Sequence, residues 1–160
     1  MCKALPLVTA SAMAFAGMAF TPALAAEDIL SIIGKDGAVV ATFTQAEAEA
    51  LGTRDIVTTT FWTEGPQRFS GVDAERLLDA AGLSDVMVTA VALDDYAATL
   101  SWDDITEKDA IFATRLNGER LTLDNRGPFW IMFDFDSVAE ADFGELNSKS
   151  VWHLVELEVE

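Results

Sequence analysis

Leu121 to Asp136 reads LTLDNRGPFWIMFDFD, a polar turn that runs directly into a block of large apolar residues. Asp124, Asn125, Arg126, Gly127 and Pro128 do not suit a regular strand, because proline has no donor for a ladder and glycine admits backbone angles that other residues avoid. Phe129 to Phe133 has the length and density of a strand buried on both faces. A carboxylate, an amide and a guanidinium thus stand at the mouth of a rigid buried element, a setting in which loops commonly carry binding groups. The expectation is one wall of a ligand pocket. Arg126 is its foremost candidate, and the competing role for that side chain, a surface ion pair with Asp124, would contribute little energy.

Working outward, Asn117-Gly118 is a strong hairpin signal, so Ile111 to Leu116 and Glu119 to Leu123 are expected to pair. Ile29 to Ile33 and Ala38 to Phe43 flank Gly34-Lys35-Asp36-Gly37 and form a second expected hairpin. Thr44 with Glu47 reads as a capping box for a short helix stopped at Gly52. Asp55 to Trp62 is extended by composition, and Thr63 to Ser70 is a loop by its Gly-Pro pair. Asp73 is the expected cap of a helix to about Ala81. Val86 to Leu93 and Ala97 to Ser101 are strands joined by Asp94-Asp95-Tyr96, and Ser101 starts a short helical turn. Ser137 to Leu146 is acidic and irregular, with at most a helical turn. The end alternates, with Val155, Leu157 and Val159 facing one way and Glu156, Glu158 and Glu160 the other. Strands outnumber helices without regular β-α alternation, which places the chain in the α+β class.

Composition narrows the function. Residues 1–25 carry Lys3, an apolar run from Leu5 to Phe20, Pro22 and an Ala-Leu-Ala site, the pattern of a secretory signal peptide. About 135 residues remain, enough for one domain over 26–160. No second run is long enough to span a bilayer, so no membrane insertion is expected after cleavage, and a periplasmic location follows. The single cysteine, Cys2, lies in the leader, which removes disulfides and thiolate-metal bonds from the domain. A formal charge of -17 repels phosphate backbones, so nucleic acid is not an expected partner.

Other residues are candidates for the same pocket. Trp62 ends its strand beside a Gly-Pro loop, where it either stacks on a ligand or belongs to the core. Asp94, Asp95 and Tyr96 lie in a turn between strands, and Tyr96, the sole tyrosine, offers a ring with a polar tip. Arg115 follows a strand and can approach the same mouth as Asp124 and Arg126; Trp130 sits in the buried block. His153 is the sole histidine and is read as structural within the final strand, since it has no partner for a metal site or triad. No nucleophile elbow or phosphate-cradling glycine loop accompanies the serines and threonines.

The order of several short pieces resembles the molybdopterin-binding domain of the sulfite oxidase superfamily. They are Val57-Thr58-Thr59-Thr60, Phe69-Ser70-Gly71-Val72 leading into Leu77-Leu78, Asp94-Asp95-Tyr96, Ala113 to Leu121, Arg126-Gly127-Pro128-Phe129, and Lys149-Ser150-Val151-Trp152 leading into Val155-Glu156-Leu157. The resemblance implies a mixed β-sheet core with a few short helices. It also implies a molybdenum-ligating cysteine in the loop after the VTTT-like strand, where this chain has FWTEGPQRF and no sulfur. Arg126 stands where those enzymes commonly carry histidine, and Lys149 where a residue meets the cofactor phosphate. The chain is similar to short exported members that bind free pterins and act on a membrane sensor controlling cyclic di-GMP.

What the resemblance implies is therefore a non-enzymatic pterin-binding protein with no tightly bound cofactor, whose partner is the periplasmic region of a membrane sensor. A molybdopterin-dependent oxidoreductase with altered metal ligation is the alternative. A pterin has a guanidine-like donor edge that a carboxylate can accept and a face that an aromatic ring can cover. Candidate contacts are Trp62, Asp94, Asp95, Tyr96, Arg115, Asp124, Arg126 and Trp130. On this reading Arg126→Ala weakens pterin binding by about tenfold or more, the loss of one charge-assisted bond. Equal affinity of the variant and the natural protein in a fluorescence titration would remove Arg126 from the pocket.

Overall fold

Two hairpins and a central crossing build the domain, for which the computed structural model describes residues 29–160; the leader expected over residues 1–25 lies outside them. Strand β1 (Ile29–Ile33) turns through Gly34 to Gly37 into β2 (Val39–Thr44). Gly37 takes a positive φ of 77°, and the Asp36 side chain accepts from the Ala38 amide at 3.1 Å, which closes the turn. Thr44 and Glu47 form the expected capping box on helix α1 (Gln45–Ala50).

The first sheet has the order β2-β1-β10-β5-β6. Its other members are β5 (Val88–Ala92), β6 (Ala97–Leu100) and β10 (Leu154–Val159), with β1 and β10 parallel and the remaining pairs antiparallel. The second sheet runs β3 (Arg54–Thr59), β4 (Pro66–Asp73), β7 (Ile111–Leu116), each pair antiparallel. The far edge of β7 is shared by β8 (Glu119–Arg120) and β9 (Trp130–Met132), which pair with its two halves. Helices α2 (Ala74–Ala80), α3 (Trp102–Thr106) and α4 (Glu140–Lys149) complete the domain. The architecture is α+β, with mixed sheets and a few short helices. Among the described residues no helix is long and apolar enough to cross a membrane.

The core draws on both sheets and on the helices. Leu30 and Ile32 from β1, Phe69 from β4, Leu77 and Leu78 from α2, Phe112 from β7 and Trp130 from β9 are all fully buried. Phe129 to Phe133 is buried throughout, as its composition requires, although the regular strand covers only Trp130 to Met132.

Several boundaries differ from expectation. Thr63 to Ser70 is mostly not a loop: β4 starts at Pro66, opposite Thr59, and pairs on both edges. Pro66 is tolerated because it is the first residue of its strand, so the Gly-Pro pair marks the turn before β4 and not its length. Asp73 precedes α2 but makes no cap bond; its carboxylate is taken by Arg54 at 2.6 Å. The hairpin partner expected over Glu119 to Leu123 is regular only at Glu119 and Arg120. Ser137 to Leu146, expected to be irregular, gives way to the ten-residue α4, whose first-turn acids Glu140 and Asp142 suit a helix start. In β10 a register shift between Leu154 and Glu156 leaves Val155 half-buried while Leu157 and Val159 face the core. His153 lies just before that strand at a positive φ of 50°.

Gly71 marks where β4 and β7 come closest. The register shifts between Ser70 and Gly71, and a Cβ at Gly71 would lie 2.1 Å from the Phe112 carbonyl oxygen and 2.5 Å from Ala113 Cα. Both are backbone atoms of a central strand and cannot step aside. Gly71→Ala should lower the unfolding free energy by about 3 kcal/mol or more, at the upper end of ordinary overpacking. Gly144→Ala, in α4 with nothing within 4 Å of the new methyl, should raise it by roughly 0.5–1 kcal/mol. Urea denaturation of the two variants checks both signs.

Candidate functional site

A cavity of about 280 Å³ opens between three segments and is lined by Trp62, Ala92, Asp94, Tyr96, Asn147, Ser148, Ser150, Val151 and Trp152. Trp62 comes from the turn between β3 and β4. That turn is folded by its hydroxyls: Thr60 Oγ1 and Thr63 Oγ1 share a hydrogen bond at 2.8 Å, and the Trp62 amide donates to Thr60 Oγ1 at 3.2 Å. The Trp62 indole then meets the rings of Trp152 at 5.6 Å and Trp130 at 5.8 Å, both edge-on. Edge-on packing of this kind holds aromatic rings in fixed orientations.

The second wall is the β5-β6 turn. Asp95 takes a positive φ of 64°, the Asp94 carboxylate accepts from the Tyr96 amide at 3.3 Å, and the Tyr96 hydroxyl donates to the Ser148 carbonyl at 2.7 Å. The turn is thereby tied to the third wall, the C-terminal end of α4 and the segment after it. Asn147 belongs to that wall, and its side-chain oxygen is buried without a partner.

Three of the sequence candidates, Trp62, Asp94 and Tyr96, therefore meet at one cavity. Asp95 is in the same turn but exposed and off the lining. Trp130 lies behind Trp62, fully buried. Arg126 adopts a left-handed φ of 73°, donates from Nη2 to the Trp62 carbonyl at 3.3 Å, and holds its guanidinium 5.2 Å from the centre of the Trp130 ring. It buttresses the Trp62 turn from behind. Arg115 lies apart and grips Glu49 of α1 with Nε at 2.9 Å and Nη2 at 3.1 Å, and Asp124 is exposed in the 3-10 turn Leu123–Asn125. Asn147, Ser148 and Trp152 were not among the sequence candidates. The helix that carries the first two has no side-chain N-cap to announce it, and Trp152 carries no local feature that separates a lining ring from a core ring.

The α4 end is fixed electrostatically. Lys149 Nζ sits 2.7 Å from Asp104 and 2.5 Å from Glu145, with the Lys149 and Asp104 side chains only 14% and 9% exposed. Burial pushes the Asp104 carboxyl upward, but hydrogen bonds from Lys149 and Ser101 outweigh it and hold the group below its ordinary value of 3.8. For Lys149, burial pushes the ammonium down while Asp104 and Glu145 raise it further, for a net rise.

Comparison with known proteins matches most of the sequence to one family. The model of the oxidoreductase molybdopterin binding domain matches residues 24–133. The crystal structure of the sulfane dehydrogenase SoxCD from Paracoccus pantotrophus is similar in fold, with a TM-score of 0.59 at 17% identity, over 86% of this chain and 39% of that one. The chain thus spans well under half the length of that protein, and the likeness is one of fold. No curated protein sequence matches the chain.

Asp104→Asn tests the anchoring of α4. A carboxyl whose folded value is lowered stabilises fully above its unfolded value and loses that contribution as pH falls through the folded one. The variant should be less stable than the natural protein by roughly 1–3 kcal/mol at pH 6–7, with the difference shrinking below about pH 4. A difference that stays constant from pH 7 to pH 3 would contradict the assignment.

Proposed function

The chain belongs to the oxidoreductase molybdopterin-binding domain family, and from that membership we propose that it is a periplasmic, non-enzymatic pterin-binding protein that reports its occupancy to the exported region of a membrane signalling protein. The observation that carries this reading is the cavity walled by Trp62, Trp152 and Tyr96, whose one charged lining side chain is Asp94. Its volume lies just below the roughly 300–1,000 Å³ usual for drug-sized ligands. That suits a flat two-ring heterocycle.

The residues present do not fit a molybdenum-bearing pterin. The β3-β4 turn offers two hydroxyls, which are bonded to each other, and the exposed carboxylate of Glu64; hard oxygen donors do not replace a soft thiolate in metal ligation. Among the described residues no cationic side chain lines the cavity to meet a phosphate. A neutral pterin makes neither demand. One ring stack contributes about 1–3 kcal/mol, and two hydrogen bonds to a carboxylate about 1.5–3 kcal/mol each. Together these give roughly 4–9 kcal/mol before ordering costs, which permits micromolar binding at best.

Transmission to a partner is supported by Phe61, next to Trp62 in the same turn. It is 72% exposed and meets Phe143 of α4 edge-on at 5.0 Å. One exposed ring therefore touches both the turn and the helix that wall the cavity, so a shift of either wall on binding reaches the surface.

Titration of the protein with oxidised and reduced pterins should quench tryptophan fluorescence with micromolar midpoints, and Trp62→Leu should remove most of the quenching. Absence of quenching up to millimolar ligand overturns the pterin assignment. Stoichiometric molybdenum in protein isolated from its native compartment overturns the non-enzymatic one.

A further inference from the structure

Resting on the pterin reading, we propose that the cavity recognises its ligand through hydrogen bonds that the protein accepts, so that it selects heterocycles carrying an amino-bearing edge over otherwise equal ones carrying an oxo group there. The hydroxyl groups on the lining are all spent. Tyr96 donates to the Ser148 carbonyl at 2.7 Å, Ser148 Oγ to the Glu145 carbonyl at 2.7 Å, and Ser150 Oγ to the Leu146 carbonyl at 3.1 Å. None of the three keeps a proton for a ligand carbonyl.

Acceptors, in contrast, are in surplus. The Asp94 carboxylate receives one long bond, from the Tyr96 amide at 3.3 Å, which leaves most of its lone pairs open. Asp94 lines the cavity together with Asn147 and Ser148, near the C-terminal end of α4, where the negative end of the helix dipole lies.

Nor can nearby cations reverse this polarity. Lys149 is held between Asp104 and Glu145, Arg126 lies against the Trp62 carbonyl and the Trp130 face, and His153 Nδ1 is bonded to the Gly127 carbonyl at 2.7 Å. A ligand edge bearing an amino group beside a ring N–H matches such a wall. An edge in which a carbonyl replaces the amino group sets acceptor against acceptor, an arrangement that specificity exploits strongly because a buried polar group is left unpaired.

The probes are a pterin and the lumazine with the same side chain, which differ only in the 2-amino or 2-oxo group, titrated calorimetrically into the full mature protein. The expected result is micromolar binding of the pterin and about thirtyfold or more weaker binding of the lumazine, the factor expected for one unpaired polar group. Asp94→Asn, in an exposed turn, should cut that ratio to about threefold or less, because the amide can turn a donor toward the oxo group. Equal affinity for the two compounds overturns this inference and leaves the pterin reading standing, as does an unchanged ratio in Asp94→Asn. Failure of both compounds to bind removes the pterin reading itself, and the inference with it.

Discussion

The structure depends on one segment that is hydrogen-bonded along both edges. Trp130 to Met132 pairs with β7 on one side. On the other, the Ile131 amide donates to the Val151 carbonyl at 2.9 Å, the Leu154 amide to Phe129 at 3.0 Å, and the His153 amide to Arg126 at 3.0 Å. Because Leu154 begins β10 of the first sheet and β7 belongs to the second, this segment is the seam between the two sheets. Backbone groups so deep in the core have no water to turn to, so each of these bonds is needed where it stands. The polar turn ahead of the seam is equally constrained. Gln45, 1% exposed, donates to the carbonyls of Leu121 and Pro128, and a Cβ on Gly127 would lie 2.4 Å from the Leu121 carbonyl carbon.

From that seam the cavity inherits its rigidity. Trp130 is fixed in the seam, Trp62 packs on Trp130, and Arg126 bonds the Trp62 carbonyl while covering the Trp130 face. Removing the guanidinium thus costs a cation-aromatic contact of about 0.5–1 kcal/mol and a hydrogen bond of similar size. Arg126 reaches the ligand only through the ring it positions. A side chain that looks free in the sequence is fully employed in the fold.

Much of the fold was legible because the signals were local. The hairpin around Gly34 to Gly37, the Thr44-Glu47 box, the Asn117-Gly118 turn and the unbroken apolar block at Phe129 to Phe133 each specify their conformation within a few residues. What was missed depended on tertiary context. Pro66 reads as a breaker until β3 and β7 are seen to flank its strand. Ser137 to Leu146 reads as irregular, with the poor helix former Gly144 in its middle, yet Leu146 packs into the core and Lys149, just beyond, locks onto Asp104. The site divides in the same way. Trp62, Asp94 and Tyr96 announce themselves by residue type at turns, whereas Asn147, Ser148 and Trp152 enter only because α4 delivers them.

The β3-β4 turn closes on its own hydroxyls and sends the Trp62 indole against Trp152, which gives the cavity an aromatic wall. With no cation among the described residues of the lining and three hydroxyl protons already donated, the remaining charge belongs to Asp94. A phosphorylated, metal-loaded group would meet a carboxylate where it needs positive charge. A neutral flat ring with donors on one edge meets the partners it lacks in a low-dielectric cleft, where each hydrogen bond counts for more than it would in water.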